Sequence, residues 1–305
     1  MSEDQLLRRL RARLGPSSLI GDDAAILSLS GEIAVTVDSQ ISGVHFIPSL
    51  DAAHVARRLL AVNLSDLAAM GGVGAEPSHA FLALSAPPDF DHDRFFRAFT
   101  EACSLWNVTL AGGDLARCDQ VVATLTLIGT KPDGGRWLRR SDAKPGHDLW
   151  LGGTVGESAA GRILIARGAD ERHRAVRRHL LPVPQLELGR WLGQQAEGAS
   201  MDVSDGVAID LHRLCRESGV GAVIDADVLP LPGGFFDLCK TLSVDPYELA
   251  LSGGEDYVLL FTLPPGMQPP GCHKIGRILR EKKIDWIREG RRRRLPASGW
   301  DHLKT

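Results

Sequence analysis

The sequence predicts an α/β or α+β protein built from two layered domains. Segments rich in β-branched residues alternate with segments whose apolar residues recur at helical spacing, and both halves of the chain show this alternation. The chain has 305 residues, which is long enough for two domains of ordinary size. A stretch rich in Gly, Pro and charged residues at 131–148 separates the halves. We therefore expect one domain over 1–135 and a second over 136–305.

Three strands and three helices are predicted in the first half. Residues 31–37, 78–86 and 119–130 have the composition of strands, and residues 1–15, 51–70 and 91–106 have helical periodicity. The helix over 91–106 begins near Asp91 or Asp93, because Asp is a favoured helix N-cap. We expect its apolar residues in the core: Phe95, Phe99, Cys103 and Trp106.

The second half continues the alternation of strands and helices. Strands are predicted over 149–153 and near 221–226, 256–263 and 273–279, and helices over 158–168, 184–197 and 207–218. Close to the end, residues 288–294 read REGRRRR. We interpret this tract as a solvated surface hairpin, because it is short and the whole chain is acidic, and contact with phosphates is the alternative.

The composition excludes several classes of protein. Lys and Arg total 35 and Asp and Glu total 38, so the net charge of -3 gives no bulk attraction to nucleic acid. The start of the chain lacks a secretory signal pattern, and no apolar run approaches the roughly 18 residues of a membrane span. The five cysteines show no C-x-x-C spacing, which is typical of reduced thiols. We therefore expect a cytoplasmic protein without a nucleic-acid or membrane partner.

Five short segments place Asp beside Gly, Ser or Asn where an apolar run ends. They are residues 21–23, 35–39, 63–66, 112–114 and 201–206. Each segment alone is ordinary turn or helix N-cap chemistry. Together they predict a ligand site, because such sites collect at strand ends of α/β sheets. Five carboxylate loops at one sheet edge also repel one another unless cations lie among them.

Magnesium and phosphate suit these acidic segments. Mg²⁺ prefers oxygen ligands and commonly bridges a few carboxylates and substrate phosphates, and glycines let backbone N–H groups approach phosphate oxygens. The sequence nearest to a P-loop, at 152–158, lacks the Lys, and no Rossmann fingerprint with a supporting acid is found. The sequence therefore predicts a nucleotide–metal site without a lysine-bearing P-loop.

These segments belong to an ordered series of motifs between about residue 20 and residue 302. The motifs are GDDAA (21–25), VDSQISGVHF (37–46), AVNLSDLAAMG (61–71), AGGD (111–114), LRRSDAKPG (138–146), MDVSDG (201–206), LSGGEDY (251–257) and GWDH (299–302). The series resembles the thiamine-monophosphate kinase family, in the superfamily of aminoimidazole-ribotide synthetase and selenophosphate synthetase. AVNLSDLAAMG and SGGEDY are specific signals, whereas GGD alone is weak. Unlike the selenophosphate enzymes, the chain has no Cys among its first hundred residues.

The resemblance implies direct transfer of the γ-phosphoryl group of ATP to the phosphate of thiamine monophosphate, the last step of thiamine diphosphate biosynthesis. It implies several Mg²⁺ ions and no phosphoenzyme, so no catalytic nucleophile is expected. It also implies an aminoimidazole-ribotide-synthetase-like fold and a homodimer. The sheet of the N-terminal domain pairs across the dimer and carries metal and ATP loops, and the C-terminal α+β domain completes the ATP and substrate site.

The resemblance also assigns site residues position by position. The implied metal ligands are Asp23, Thr36, Asp38, Asp66, Asp114, Asp202 and Asp205, with Asp66 bridging several ions. The implied ATP contacts are Gly113, Asp114, Arg140 and Ser204. The implied substrate contacts are His45, Glu255 and Trp300. The carboxylate of Glu255 and the aromatic ring of Trp300 suit the flat cationic thiazolium. The structural alternatives are a packed histidine at 45, a turn cap at 255, a packing anchor at 300 and a solvated arginine at 140.

Two positions depart from the family pattern. Val37 and Leu115 stand where the family commonly has Thr, so neither side chain offers an oxygen ligand. These changes affect details of metal coordination and not the reaction class. Two other functions stay open at this point: an ATP-dependent member of the superfamily that acts on a ribotide amide, and a non-catalytic nucleotide-binding protein.

Overall fold

The structure is a computed structural model, and it divides into two compact units. It describes residues 3–15, 18–20, 24–25, 27–29, 31–72, 78–131 and 133–300. Unit 1 comprises Met1–Leu67 and Val73–Asp133, and unit 2 comprises Ala68–Gly72 and Gly134–Thr305. Across the described ranges, every helix is too short or too polar to cross a lipid bilayer. The roles expected of the two domains stay predictions.

Unit 1 contains a four-stranded sheet. Its elements in chain order are α1 (Glu3–Leu14), β1 (Ile33–Ile41), α2 (Ala52–Ala69), β2 (Ser78–Ala86), α3 (His92–Leu105), β3 (Val108–Arg117) and β4 (Val122–Thr130), and the last two residues of α2 belong to unit 2. The strand order is β1-β4-β2-β3, in which β2 and β3 are parallel and the other pairs antiparallel. The predicted helices and strands of this half are confirmed, and β3 is an additional strand.

Strand β3 contains Gly113 and Asp114, which the sequence suggested were part of a loop. The strand forms because it pairs in parallel with β2, and the pairing skips one residue near Ala80 as a β-bulge. A Cβ atom on Gly113 would overlap the carbonyl oxygen of Leu82, so only glycine permits this close approach of the two strands. The pairing partner therefore overrides the local loop signal of the glycines.

Helix α3 behaves largely as predicted. The Asp91 side chain accepts a hydrogen bond from the backbone N–H of Arg94 at 3.0 Å, which is the expected N-cap. Phe95, Phe99 and Cys103 are buried. The prediction that Trp106 is a core residue needs correction, because Trp106 is the C-cap of the helix and is only half-buried there.

The two faces of the unit 1 sheet differ in exposure. Leu82, Leu125 and Leu127 are buried on one face. Helix α2 contacts β1 on the face of Thr36 and Gln40, since Thr36 donates to Asp66 and Gln40 accepts from the buried Arg58. On the opposite face the apolar side chains of β1 are exposed: Ile33, Val35 and Val37. Side chains alternate along a strand, so this exposed face is a regular feature of the sheet.

Unit 2 contains a seven-stranded sheet with order β11-β10-β7-β9-β5-β8-β6. The elements that follow unit 1 are a 3₁₀ turn (Arg140–Asp142), β5 (Asp148–Leu151), α4 (Glu157–Ala166), α5 (Arg174–Leu180), α6 (Leu186–Gly193), β6 (Ser200–Asp202), α7 (Val207–Ser218), β7 (Gly221–Asp225), a second 3₁₀ turn (Ala226–Val228), α8 (Phe235–Leu242), α9 (Pro246–Ser252), β8 (Leu259–Leu263), β9 (His273–Leu279), β10 (Ile284–Arg288) and β11 (Arg291–Arg294). Helices α5, α8 and α9 were not predicted.

The main core of unit 2 lies between its sheet and its helices. Leu149 and Ile275 of the sheet pack in one cluster with Leu211 and Leu214 of α7 and Phe235 of α8. Apolar residues at helical spacing along α7 and alternation along the strands account for this cluster. The tract at 288–294 forms an exposed hairpin of β10 and β11, as predicted.

Candidate active site

Thr36 and Asp66 meet in unit 1. Thr36 lies in the middle of β1, and its hydroxyl donates a hydrogen bond to the carboxylate of Asp66 in the last turn of α2. Asp38 lies two residues farther along β1, so its side chain has the same orientation relative to the sheet as Thr36. A carboxylate near a helix C-terminus is repelled by the negative end of the helix dipole, and a nearby cation relieves this repulsion. The pair of Thr36 and Asp66 therefore suits a divalent ion.

Val37 and Leu115 are the two departures from the family pattern. Val37 is 58% exposed on the open face of the sheet, opposite to Thr36. Leu115 is half-buried and pairs with the buried Leu84. Neither residue lies on the same side of its strand as the adjacent Asp. Both replacements therefore leave unchanged the strand face that carries the carboxylate.

Asp38 and Asp114 lie on the two opposite edge strands of the unit 1 sheet. The register runs from Asp38 across Leu125 and Leu82 to Gly113, which precedes Asp114. Three strand spacings of about 4.8 Å separate these edges by roughly 14 Å. The expectation that the acidic segments gather at one sheet edge is therefore not met by these two residues within one copy of unit 1. Asp114 is exposed and pairs with the exposed Ala83.

In unit 2, backbone hydrogen bonds join the MDVSDG and SGGEDY motifs. The N–H of Glu255 donates to the carbonyl of Ser204 at 2.7 Å, and the N–H of Tyr257 donates to the carbonyl of Val203 at 2.9 Å. Glu255 and Tyr257 both have positive φ, of 60° and 49°. Non-glycine residues seldom adopt this conformation, and such strain collects at functional sites. The structure thus brings a predicted ATP contact, Ser204, next to a predicted substrate contact, Glu255.

Trp300 joins the same region of unit 2. Its backbone N–H donates to the carbonyl of Asp205 at 3.0 Å. The preceding Gly299 packs so closely against Ile209 of α7 that a Cβ atom there would overlap it. The Trp300 side chain is 47% exposed. A packing anchor is normally buried, and the role of Trp300 toward the substrate stays a prediction.

The Asp205 carboxylate belongs to a charged cluster at the start of α7. Arg213 donates to Asp205 and, at 2.7 Å, to the fully buried Asp210. Asp210 also accepts the backbone N–H groups of Asp205 and Gly206 at 3.1 and 3.2 Å. The Asp210 side chain therefore fixes the loop that carries Asp205.

Burial, which is the largest cause, and the nearby charges of Asp202 and Asp205 together raise the pKa of Asp210 to about 7. The Arg213 guanidinium opposes this rise. Three carboxylates thus repel one another with one arginine among them. A divalent ion at Asp202 and Asp205 relieves this repulsion, so the residues fit the predicted metal.

Glu255 and Asp256 lie on a second network, which sequence reasoning missed. His179 Nδ1 lies 3.4 Å from Glu255 Oε2 and 3.2 Å from Ser158 Oγ. Arg178 donates to the backbone carbonyl of Asp256 at 2.6 Å. His179 and Arg178 are more than 70 residues away from Glu255 and Asp256 in the sequence. Only the RRH run at 177–179 could have drawn attention to them.

The Asp256 side chain is buried at the start of α4. It accepts the backbone N–H of Gly156 at 2.8 Å and that of Ser158 at 3.4 Å. Burial raises its pKa to about 7, although these backbone donors favour the charged form. Asp256 therefore anchors the SGGEDY motif to α4, and this role explains the acid next to Glu255.

His45 lies in the turn after β1. The backbone N–H of Ile41 donates to His45 Nδ1 at 3.1 Å, and the backbone N–H of His45 donates to the carbonyl of Ile41 at 2.9 Å. Because Nδ1 accepts, the neutral ring carries its proton on Nε2. The ring is half-buried in this turn, and its contact with the substrate stays a prediction.

Arg140 and Asp23 complete the predicted set. Arg140 is exposed, and its backbone carbonyl accepts from Ser218 at the end of α7, whereas Asp205 precedes the start of that helix. The 12 residues of α7 separate these points by about 18 Å. The backbone of Arg140 therefore lies far from Ser204, and the assignment of both residues as ATP contacts stays a prediction. Asp23 and the rest of the segment 21–23 lie outside the described residues.

The carboxylates do not form a complete metal site within the described ranges. No group of three or more His, Cys, Asp or Glu side chains is placed there to hold one ion. Mg²⁺ usually binds through one or two carboxylates, several waters and substrate phosphates, so pairs of acids are sufficient protein ligands. The assignment of the metal ligands stays a prediction.

Comparisons with known proteins agree with the motifs. Residues 21–130 match the family model of the AIR synthase related protein, N-terminal domain. The chain is 36% identical to the thiamine-monophosphate kinase of Escherichia coli strain K12, over 97% of this chain and 94% of that protein. It is 35% identical to the thiamine-monophosphate kinase of Salmonella typhimurium, over 96% of this chain and 94% of that protein.

A solved structure supports the same relationship. It is described as AaThiL complexed with AMPPCP and TMP, is 30% identical to this chain, and superposes with a TM-score of 0.81. The match covers 99% of this chain and 97% of that one. The predicted fold class is confirmed by this similarity and by the mixed α/β architecture with two sheets. The chain belongs to the thiamine-monophosphate kinase family.

Proposed function

We propose that this chain transfers the γ-phosphoryl group of ATP to the phosphate of thiamine monophosphate and releases thiamine diphosphate and ADP. One observation carries the proposal: the backbone of unit 2 joins Glu255 to Ser204 and Trp300 to Asp205. A carboxylate and an aromatic ring for the thiazolium thus lie beside the predicted ATP and metal loop. Identity above 30% to enzymes of this activity, over nearly the whole chain, supports the same conclusion.

The residues of this chain would contribute by positioning and by charge. Phosphoryl transfer requires alignment of the two phosphates and neutralisation of their oxygens more than it requires a covalent nucleophile. The Nε2–H of His45 can donate to the acceptor phosphate, and the Glu255 carboxylate can pair with the thiazolium. The position of His45 in the turn after β1 and the His179 contact that orients Glu255 support these roles.

Mg²⁺ is the proposed cofactor, with several ions per site. The residues that would hold it are Asp23, Thr36, Asp38, Asp66, Asp114, Asp202 and Asp205. When bound, the ions neutralise charge on the transferring phosphoryl group. Two observations support cations at these residues: the carboxylates of Asp202 and Asp205 interact with that of Asp210 in unit 2, and Asp66 lies at the end of a helix in unit 1.

A homodimer is the proposed assembly. The open face of the unit 1 sheet exposes Ile33, Val35 and Val37, and the turn after β1 adds exposed Val44 and Ile47. An exposed apolar patch on a sheet face is typical of a protein interface. Light scattering should give twice the 32.9 kDa of one chain, and Val35→Asp with Val37→Asp should give the monomer. A monomeric parent protein would refute this assembly.

The cytoplasm is the proposed location. All five cysteines are free thiols, which persist in a reducing compartment.

Reaction products test the activity itself: purified chain with Mg·ATP should convert thiamine monophosphate to thiamine diphosphate. Phosphate release with a ribotide amide substrate, or nucleotide binding with no turnover, would support one of the two other functions instead.

A further inference from the structure

A cavity opens beside the hairpin of β10 and β11, which we call the arginine hairpin (residues 284–294). The cavity has a volume of about 170 Å³ and is lined by Trp286, Arg288, Glu289, Arg291 and Arg293. It equals roughly five or six water molecules of about 30 Å³ each, which is enough space for one phosphate group and a few waters. None of the lining residues belongs to the motifs of the candidate active site.

The strand register places three arginines on the cavity side of the hairpin. Arg291 lies directly opposite Arg288, and Arg293 lies directly opposite Trp286. Positions two apart share a face, so all four side chains lie on one face. Like charges directly opposite each other destabilise an antiparallel pair. A bound anion would remove this repulsion.

On the opposite face of β11, both arginines are paired with one carboxylate. Arg292 donates to Asp285 at 2.9 Å, and Arg294 lies 3.5 Å from the other oxygen of that carboxylate. Arg291 and Arg293, in contrast, have no carboxylate within ion-pair distance among the described residues. Alternate arginines of β11 therefore differ in electrostatic environment, although all four are exposed.

Arg288 is held in place without full neutralisation. Its guanidinium lies 4.1 Å from the centroid of the Tyr247 ring, in cation–π geometry. Its carboxylate neighbour, Glu289, is 3.8 Å away with a side chain that is 77% exposed. An ion pair so exposed contributes little. Arg288 thus presents a pre-positioned positive charge to the cavity.

We propose that this cavity binds the phosphate group of a small phosphorylated molecule between Arg288, Arg291 and Arg293. Guanidinium groups match phosphate geometry and stay charged at any physiological pH. The net charge of the chain is -3, so the local arrangement and not bulk attraction selects the anion. Trp286 supplies an apolar wall for the remainder of the ligand.

Arginines on an edge strand also prevent pairing with other chains. That protective role depends on charge along the strand and does not distinguish its two faces. Phosphate binding depends on Arg291 and Arg293 and not on Arg292 and Arg294. The two faces of β11 therefore provide a matched experiment in which the strand and the number of charges removed are the same.

The test compares Arg291→Gln/Arg293→Gln with Arg292→Gln/Arg294→Gln in the full chain. Titration calorimetry with inorganic phosphate, in EDTA without ATP, measures the Kd. We expect the first variant to bind at least about tenfold more weakly than the parent, and the second to stay within about twofold of it. Equal weakening in both variants would identify general electrostatic attraction and overturn the proposal. So would a parent that does not bind phosphate.

Further probes define the source of the phosphate. If AMP binds the parent more tightly than inorganic phosphate, and Arg291→Gln/Arg293→Gln weakens both, the ligand is a phosphate ester. Equal affinity for the two probes indicates free phosphate, and either result supports the cavity. A single-stranded oligonucleotide that binds when neither small probe does would contradict the proposal. Thiamine diphosphate formation should match the parent in both variants, which separates this site from the proposed function.

Discussion

The two units hold their predicted site residues in different ways. In unit 1 the described candidates for metal ligands lie on regular elements: Thr36 and Asp38 on β1, Asp66 on α2 and Asp114 on β3. In unit 2 Ser204, Asp205 and Glu255 lie on loops that are fixed by hydrogen bonds to the buried side chains of Asp210 and Asp256. Unit 1 therefore positions its acids by secondary structure, and unit 2 does so through side-chain networks.

This difference has consequences for mutation. A carboxylate on the surface of a regular element can be replaced with little effect on folding, because the element persists without it. A carboxylate that holds a loop in a buried network contributes to stability as well as to function. Substitutions in unit 1 should therefore separate activity from stability, and substitutions in the networks of unit 2 should couple them.

Asp66→Asn should have the largest effect on activity and almost none on folding. The amide retains the hydrogen bond from Thr36 but loses the negative charge that binds the cations. Turnover should therefore fall about a hundredfold or more. The melting temperature should stay the same or rise slightly, since an acid is removed from the negative end of α2. Thiamine diphosphate formation at saturating ATP, with circular-dichroism melting, measures both. Asp89→Asn, at an exposed turn of unit 1, is the control. Near-normal turnover at saturating Mg²⁺ would exclude the bridging role.

Trp300→Ala should have an intermediate effect, confined to one substrate. Loss of an aromatic contact with the thiazolium should raise KM for thiamine monophosphate by roughly 10- to 100-fold and leave KM for ATP unchanged. Trp300→Phe should recover most of the affinity. Because the side chain is 47% exposed, the melting temperature should change little. Steady-state kinetics with each substrate varied in turn provide the measurement. An unchanged KM with a lowered melting temperature would instead make Trp300 a packing anchor.

Asp256→Asn should have the smallest effect and should appear as a change in pH dependence. The folded pKa of Asp256 is raised to about 7 from a usual value near 3.8, so its stabilisation is complete below that lower value and is lost as pH rises through 7. Between pH 5.5 and pH 8 this loss amounts to about 2 kcal/mol in the free energy of unfolding. The amide cannot ionise, so the variant should show a flatter profile.

Urea unfolding of the Mg²⁺-free protein at both pH values measures this difference. Asp237→Asn, an exposed acid of the same unit, should keep the slope of the parent. Identical slopes in the parent and Asp256→Asn would show that Asp256 stays ionised in the folded state. Asp256 would then not be a buried carboxylate of unit 2 whose ionisation is coupled to folding.

The sequence predicted most of the regular elements, because their periodicity is a local property. The helical spacing of apolar residues indicated α2 and α3, the β-branched composition indicated β1 and β4, and Asp91 indicated an N-cap. Strand β3 was missed, since its glycines give a loop signal that only the parallel pairing with β2 overrides. Short helices such as α5 were missed because seven residues show too little periodicity.

By itself, the sequence determined the chemical identity of this protein: the ordered acidic motifs carry the family resemblance, and they depend on residue types at fixed spacing. Only the tertiary structure decided which residues meet. It placed Asp38 and Asp114 on opposite sheet edges, and it brought His179 to Glu255 and Glu255 to Ser204. It also divided the arginines of β11 between a face that carries Asp285 and a face that lines a cavity. The physical reason is that strand order, burial and long-range contacts arise from packing between segments distant in the chain, which local sequence patterns do not encode.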